Sequence, residues 1–190
     1  YNPGVFPFIF VGILMPFIYG MDGEQTKDVW KDTIHTIIPA AIALVFTLGM
    51  VKIMINSGAA SQFDSMLITM AKAAAAATGK VWVWFAPFIG MLGSFISGSN
   101  TTSDIMFGTF QFETAAQVGM PTTIILALQA VGGAIGNMIC IHNVVAACAT
   151  VGIVGSEGKI IRKNIITASI YALAAGTVAW IIISVTSGIY

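Results

Sequence analysis

The sequence predicts an all-α, polytopic membrane protein whose helical bundle contains discontinuous or re-entrant helices. Hydrophobic residues make up 57% of the chain and charged residues only 8%, with a mean hydropathy of +0.90. Soluble domains carry about 25% charged residues, so this chain lacks the polar residues that a water-exposed surface needs. Polar residues concentrate instead at two points inside apolar stretches, which is typical of helices that break within a membrane.

Six apolar stretches predict membrane spans, at residues 3–20, 33–56, 59–78, 81–97, 121–139 and 165–187. Pro7 and Pro16 predict kinks in the first stretch. Asp64 and Lys72 interrupt the third stretch, which is therefore either a span buried in the bundle or a shorter re-entrant helix.

Two charged segments, residues 21–32 and 156–164, predict water-facing loops. The basic residues of the second loop favour the cytoplasmic side by the positive-inside rule. Tyr1 is not an initiator Met, and the chain is apolar from its start without the pattern of a signal peptide. We therefore expect a piece of a longer chain.

Several function classes are disfavoured by composition. The net charge is zero, so no basic surface indicates nucleic-acid binding, and no glycine-rich phosphate loop is present. Cys140 and Cys148 form no CxxC pair and have no His/Cys cluster near them in the sequence, so we predict no metal site.

Two segments, residues 98–118 and 137–155, share a broken-helix pattern. In each, an apolar helix with glycines ends, a polar cluster follows, and another apolar helix begins. The new helix offers free N–H groups and a partial positive charge. The candidate substrate-binding residues are Ser97, Ser99, Asn100, Thr101, Thr102 and Ser103 in the first break, and Gly136, Asn137, His142 and Asn143 in the second.

For both breaks, interpretations without a role in ligand binding stay open. The first cluster could be an ordinary loop at a membrane surface, and the glycines of "VGGAIGN" could serve helix packing rather than ligand approach. His142 could be a structural hydrogen-bonding residue, and Glu113 could lie at a membrane interface.

The charge pattern indicates how an anion would be held. Residues 81–158 contain no Lys or Arg, so a bound anion would depend on helix ends, hydroxyls and amides. An ionised Asp104 would repel that anion, and a like charge with poor hydration favours the protonated carboxyl. Anion and proton would then travel together, with Asp104, Glu113 and His142 as the candidate proton-coupling residues.

Two long motifs carry a resemblance to a known family. "GSFISGSNTTSDIMFGTFQ" at 93–111 and "LQAVGGAIGNMICIHNVVAACATVGIVG" at 128–155 resemble the C-terminal part of the lactate permease family, and the similarity extends over most of the chain, including "WKDT". The resemblance implies a multi-pass importer of lactate and glycolate, coupled to protons, in the bacterial inner membrane. It also implies two inverted repeats with re-entrant hairpins, of which this chain holds most of the second.

The resemblance further implies which residues and partners matter. Ser99, Asn100 and Thr101 fall on the Ser-Asn-Thr motif of the wider ion-transporter superfamily, which helps to form the substrate and ion site. The implied partners are a small monocarboxylate, membrane lipid and the N-terminal half of the same permease. No cofactor is expected beyond the coupling proton, although sodium is not excluded.

The predicted function is a secondary transporter, not an enzyme, for small 2-hydroxy monocarboxylates, because Ser, Thr and Asn can both donate and accept hydrogen bonds. A sodium-coupled or other carboxylate carrier, an anion channel, and an enzyme using Asp104 and Glu113 as a carboxylate pair are the alternatives. The preferred acid and the oligomeric state stay open. The transport-site prediction requires residues 99–104 and 136–143 to lie close together at mid-membrane depth.

Overall fold

The computed structural model describes residues 5–58 and 63–186, and all regular structure in these ranges is helical, which confirms the all-α prediction. The helices are α1 (Val5–Ile18), α2 (Gly23–Asn56), α3 (Met66–Thr78), α4 (Trp82–Ser97), α5 (Asn100–Val118), α6 (Thr122–Gly136), α7 (Ile141–Thr150) and α8 (Glu157–Thr186). Three stretches, 66–97, 122–148 and 157–186, are long and apolar enough to cross a membrane.

The chain divides into two compact units, residues 1–46 and 47–190. The first unit contains α1 and the beginning of α2, which starts inside segment 21–32, so the prediction of a loop there was wrong. The Gln25 N–H donates to Asp22 Oδ1 at 2.7 Å, and the Asp22 N–H donates to Gln25 Oε1 at 3.3 Å. This reciprocal capping box starts the helix within the charged turns.

The loop predicted at 156–164 was also wrong, because α8 begins at Glu157. The N–H groups of Lys159 and Ile160 donate to the Ser156 carbonyl at 3.1 and 3.2 Å. At about 1.5 Å per residue, the 30 residues of α8 reach about 45 Å, which exceeds a hydrocarbon core of about 30 Å. The charged first turns can therefore stay helical outside the apolar layer.

The third apolar stretch is only partly described, since residues 59–62 lie outside the described ranges. Its helix, α3, begins after Ser65, whose hydroxyl accepts the Ile68 N–H at 3.3 Å. Thirteen residues reach about 20 Å, which is too short to cross a membrane alone. A 3-10 turn, Gly79–Val81, joins α3 to α4 within the continuous apolar stretch 66–97.

Helices α4 and α6 make the closest contact of the second unit. A Cβ added to Gly132 would lie 2.0 Å from the Pro87 carbonyl oxygen, and one added to Gly136 would lie 2.3 Å from that of Met91. Both contacts advance by four residues in the same direction along the chain, so α4 and α6 run parallel. The G-x-x-x-G spacing of α6 lets the two backbones touch, as in membrane helix pairs.

Helix α8 closes the bundle with a stripe of small buried residues. Ala168, Ala172, Gly176 and Ala179 face the bundle, and the Gly176 backbone lies against Trp84 of α4. The Trp84 Nε1–H donates to Thr177 Oγ1 at 3.2 Å. Without a hydrophobic drive inside lipid, small residues and hydrogen bonds of this kind hold helices together.

Candidate functional site

The first break is a two-residue reversal between α4 and α5. Gly98 has a φ of 68° in the left-handed region and donates its N–H to the Ser94 carbonyl at 2.7 Å, which ends α4. Ser99 then accepts the Thr102 N–H on its hydroxyl at 3.2 Å and starts α5 at Asn100. The predicted broken-helix segment 98–118 thus consists of this reversal and helix α5.

Helix α5 returns along α4, so the two helices form a hairpin with the polar residues at its tip. The Ser103 hydroxyl donates to the Gly90 carbonyl at 2.7 Å, and further along Gln111 donates to the Ala86 carbonyl at 2.9 Å. Residues with increasing numbers on α5 contact residues with decreasing numbers on α4, so the two helices are antiparallel.

The second break lies between α6 and α7, at residues 137–140. The N–H groups of Ile139 and Cys140 both donate to the Gly136 carbonyl, at 3.2 and 3.1 Å, which tightens the last turn of α6. Helix α7 begins at Ile141 and ends at Thr150, earlier than the predicted limit near residue 155. A turn with positive φ at Gly152 and Gly155 follows.

The two breaks lie together at one end of α4 and α6. Asn143 Nδ2 donates to the Gly98 carbonyl at 3.4 Å and to Asn137 Oδ1 at 3.2 Å. The Ser94 hydroxyl donates to the same Asn137 oxygen at 2.9 Å. The His142 ring lies directly against Gly98. The structure therefore brings the two polar clusters into contact.

The hydroxyls of the first cluster have different surroundings. Ser97 donates to the Gly93 carbonyl at 2.8 Å and stays inside the hairpin tip, while Ser103 is fully buried between α4 and α5. Thr102 is buried, whereas the neighbouring Thr101 is exposed. Of these side chains, Thr101 is the one most open to a ligand.

Asn100 has an unusual position at the first turn of α5. Its Oδ1 is buried and has no hydrogen-bond partner among the described residues. A Cβ added to Gly133 would lie 1.9 Å from this oxygen, so Gly133 makes room for the Asn100 side chain. Gly136, by contrast, is buried in the α4–α6 contact.

A cavity of about 340 Å³ lies beside the second break. Asn137, Asn143 and Asn164 supply its polar groups, and Asn164 Nδ2 donates to the Met138 carbonyl at 2.8 Å. The remaining lining is mainly apolar and comes from α7, α8 and the turn between them. Its volume is within the range of small-molecule sites.

A buried chain of side-chain amides was missed by sequence reasoning. Gln111 of α5 and Gln129 of α6 are 0% and 1% exposed, and the Gln111 Nε2 donates to Gln129 Oε1 at 3.0 Å. Gln129 Nε2 in turn donates to the Ser103 hydroxyl at 2.9 Å. Isolated glutamines within apolar helices were the available signal, since a buried amide needs partners.

The donor at one end determines the direction of this chain. The Trp82 Nε1–H can only donate, and it lies 2.9 Å from Gln111 Oε1. Gln111 therefore presents its N–H₂ to Gln129, and Gln129 presents its own N–H₂ to Ser103 and, at 3.5 Å, to Asp104 Oδ1. Asp104 is thus the acceptor at the end of a fixed series of donors.

The candidate carboxyl groups Asp104 and Glu113 do not form a pair. Nine residues separate them on one α-helix, which corresponds to about 14 Å along the axis and to opposite faces. Their separation removes the geometry that the enzyme alternative required. Cys140 Sγ lies 3.3 Å from His142 Nδ1, but the described residues include no group of three side chains that could hold a metal ion.

We expect Gly98→Ala to destabilise the protein more than its backbone strain explains. A left-handed alanine costs about 1–2 kcal/mol, and the new Cβ would lie 1.8 Å from His142 Nε2, so the ring must leave the hairpin tip. Gly119→Ala is the control, because its φ of 70° is similar and nothing lies within 4 Å. The melting temperature of the full-length protein should fall further for Gly98→Ala than for Gly119→Ala, and equal falls in both variants would contradict this.

A protein-family model and several known proteins match this chain. The family model described as L-lactate permease matches residues 1–186. A relative in Haemophilus influenzae is 38% identical over 92% of this chain. The glycolate permease of Escherichia coli K12 is 30% identical over 87%, and the L-lactate permease of Bacillus subtilis is 29% identical over 83%.

The chain covers 32%, 28% and 26% of those three relatives, so it spans at most about a third of their length. No solved structure matches it.

Proposed function

This chain belongs to the L-lactate permease family, and from that premise we propose that it is part of a secondary transporter that imports lactate and related 2-hydroxy monocarboxylates with protons. The longer protein would be a multi-pass protein of the bacterial inner membrane and not an enzyme. The names of its relatives, lactate and glycolate permeases, support this substrate class. The remaining part of the permease would contain the first of the two inverted repeats and would complete the cavity.

The observation that carries the proposal is the contact between the two helix breaks. Helices α5 and α7 both begin there, so their free N–H groups and partial positive charges lie near one another. Since residues 81–158 contain no Lys or Arg, these helix ends would hold the substrate carboxylate. Thr101 and His142 are exposed beside the break and can approach the same ligand.

The unpartnered oxygen of Asn100 supports a hydroxy acid in particular. A buried acceptor without a donor costs about 1–3 kcal/mol, which a hydroxyl from the ligand would relieve. The 2-hydroxyl of lactate or glycolate is adjacent to the carboxylate, and it would donate to Asn100 once that side chain turns from Gly133 toward the break, while the carboxylate faces the helix ends. This arrangement favours 2-hydroxy acids over acids that lack the hydroxyl.

The test is uptake of labelled lactate into proteoliposomes that contain the full-length permease. An inward proton gradient should drive accumulation above the external concentration, and a protonophore should abolish it. Accumulation driven only by a sodium gradient would support the sodium-coupled alternative. Non-saturating flux with measurable conductance would support a channel and would overturn the proposal.

Asp104→Asn should separate coupling from binding. We expect proton-driven accumulation to fall at least tenfold, because the amide cannot carry the proton, while lactate exchange between the two sides continues. Glu113→Gln is the matched control on the opposite face of α5 and should leave accumulation within about twofold. Unchanged accumulation in Asp104→Asn would exclude Asp104 as the coupling group.

A further inference from the structure

The first turns of α8 carry a compact group of cations. Lys159, Arg162 and Lys163 are all exposed, and their spacing of three and four residues places them on one helix face. Together with Gly155 and Gly158 they line an open cavity with a volume of about 580 Å³. The backbone of both glycines is open, since nothing lies within 4 Å of an added Cβ.

The positive charge of this group is not neutralised by the described part of the chain. No acid there lies within ion-pair distance of the three cations. Glu157, the acid closest in sequence, accepts the Gly155 N–H on its Oε1 at 2.9 Å and so points at the preceding turn. Three adjacent cations without counter-charges form a site that favours an anion.

Apolar surface continues directly from the cations along the same face. Ile166 and Ile170 follow at helical spacing and are 63% and 64% exposed. The buried residues Ala168 and Ala172 lie on the opposite face, against the bundle. The cationic face therefore points away from the other helices of this unit, and the exposed side chains of Ile166 and Ile170 continue it along α8.

We propose that this face binds the headgroup of an anionic phospholipid. The phosphate oxygens would accept hydrogen bonds from Arg162 and the two lysines, which are common phosphate ligands. The acyl chains would lie along Ile166 and Ile170, which distinguishes a lipid from a soluble phosphate. The inference requires a membrane-embedded α8 and does not depend on the transported substrate.

Native mass spectrometry of the full-length permease in detergent can test this, with phosphatidylglycerol, phosphatidylcholine and soluble glycerophosphate as probes. The protein should retain phosphatidylglycerol in preference to the other two. Lys159→Gln, Arg162→Gln and Lys163→Gln combined should weaken this binding about 100-fold, since each cation near a membrane surface contributes about a factor of five. The exposed pair Lys27→Gln and Lys31→Gln on α2 is the control and should bind like the unaltered protein.

A variant that keeps the positive charge is a control for effects of the substitutions on folding. Lys159→Arg with Lys163→Arg should retain phosphatidylglycerol, whereas the glutamine variant should not. Equal retention of phosphatidylcholine and phosphatidylglycerol, or unchanged retention in the glutamine variant, would overturn the proposal. Equally strong binding of glycerophosphate would show a soluble phosphate site and would overturn the lipid assignment.

Discussion

Gly132→Ala is expected to destabilise the second unit by about 3 kcal/mol, at the upper end of overpacking effects. The new Cβ would lie 2.0 Å from the Pro87 carbonyl oxygen and 2.8 Å from its Cα, so it meets backbone that cannot rotate away. Helices α4 and α6 would have to separate along their whole contact. Thermal unfolding of the purified full-length permease should show a much lower melting temperature, and uptake should be lost.

Gly108→Ala is the matched control for this experiment. Gly108 lies within α5, and a Cβ added there would have nothing within 4 Å. Alanine favours a helix over glycine by about 0.5–1 kcal/mol, so this variant should be as stable as the unaltered protein or slightly more stable. Similar losses in both variants would mean that the α4–α6 contact does not depend on glycine.

Gln129→Leu should produce the second large effect, a loss of about 1–3 kcal/mol, by removing the centre of the buried amide chain. Gln111 would keep only the Ala86 carbonyl as a partner for its Nε2, and Ser103 and Asp104 would lose the donor that faces them. We expect lower thermal stability and, in the proposed transporter, lower uptake, because Asp104 loses its hydrogen-bond donor.

A double-mutant cycle with Gln111→Leu would measure the coupling directly. Since the two amides share a hydrogen bond, their combined effect should differ from the sum by about 0.5–3 kcal/mol. Gln117→Leu on the exposed side of α5 is the control and should change stability by less than about 0.5 kcal/mol. Additive effects of the two buried glutamines would contradict a connected chain.

The helical class and the two breaks could be predicted from sequence because they depend on composition and on local backbone preference. Gly98 followed by Ser99 encodes a left-handed end and a new cap within two residues. The predicted loops at 21–32 and 156–164 were wrong because a high density of charged residues does not by itself exclude a helix. The pattern D-x-x-Q at Asp22 is compatible with a capping box, which starts a helix.

The contacts between helices could not be predicted from a single sequence. "VGGAIGN" allowed both helix packing and ligand approach, and the structure divides its glycines between contacts: Gly132 and Gly136 meet α4, while Gly133 lies against the Asn100 side chain. Likewise, Gln111 and Gln129 are 18 residues apart, and only the antiparallel packing of α5 and α6 brings their amides together. Such contacts depend on helix orientation, which periodicity does not specify.

The backbone contact between α4 and α6 also has a mechanical consequence. Tightly packed interiors resist deformation, so in the proposed transport cycle we expect the hairpin and α6 to move as one rigid body. Changes of direction would then fall at chain positions with open surroundings, such as Gly79 before α4 and Gly152 after α7, both with positive φ and nothing within 4 Å of an added Cβ. If the proposed transporter works by alternating access, we expect this body to rotate about its ends while the hairpin stays closed.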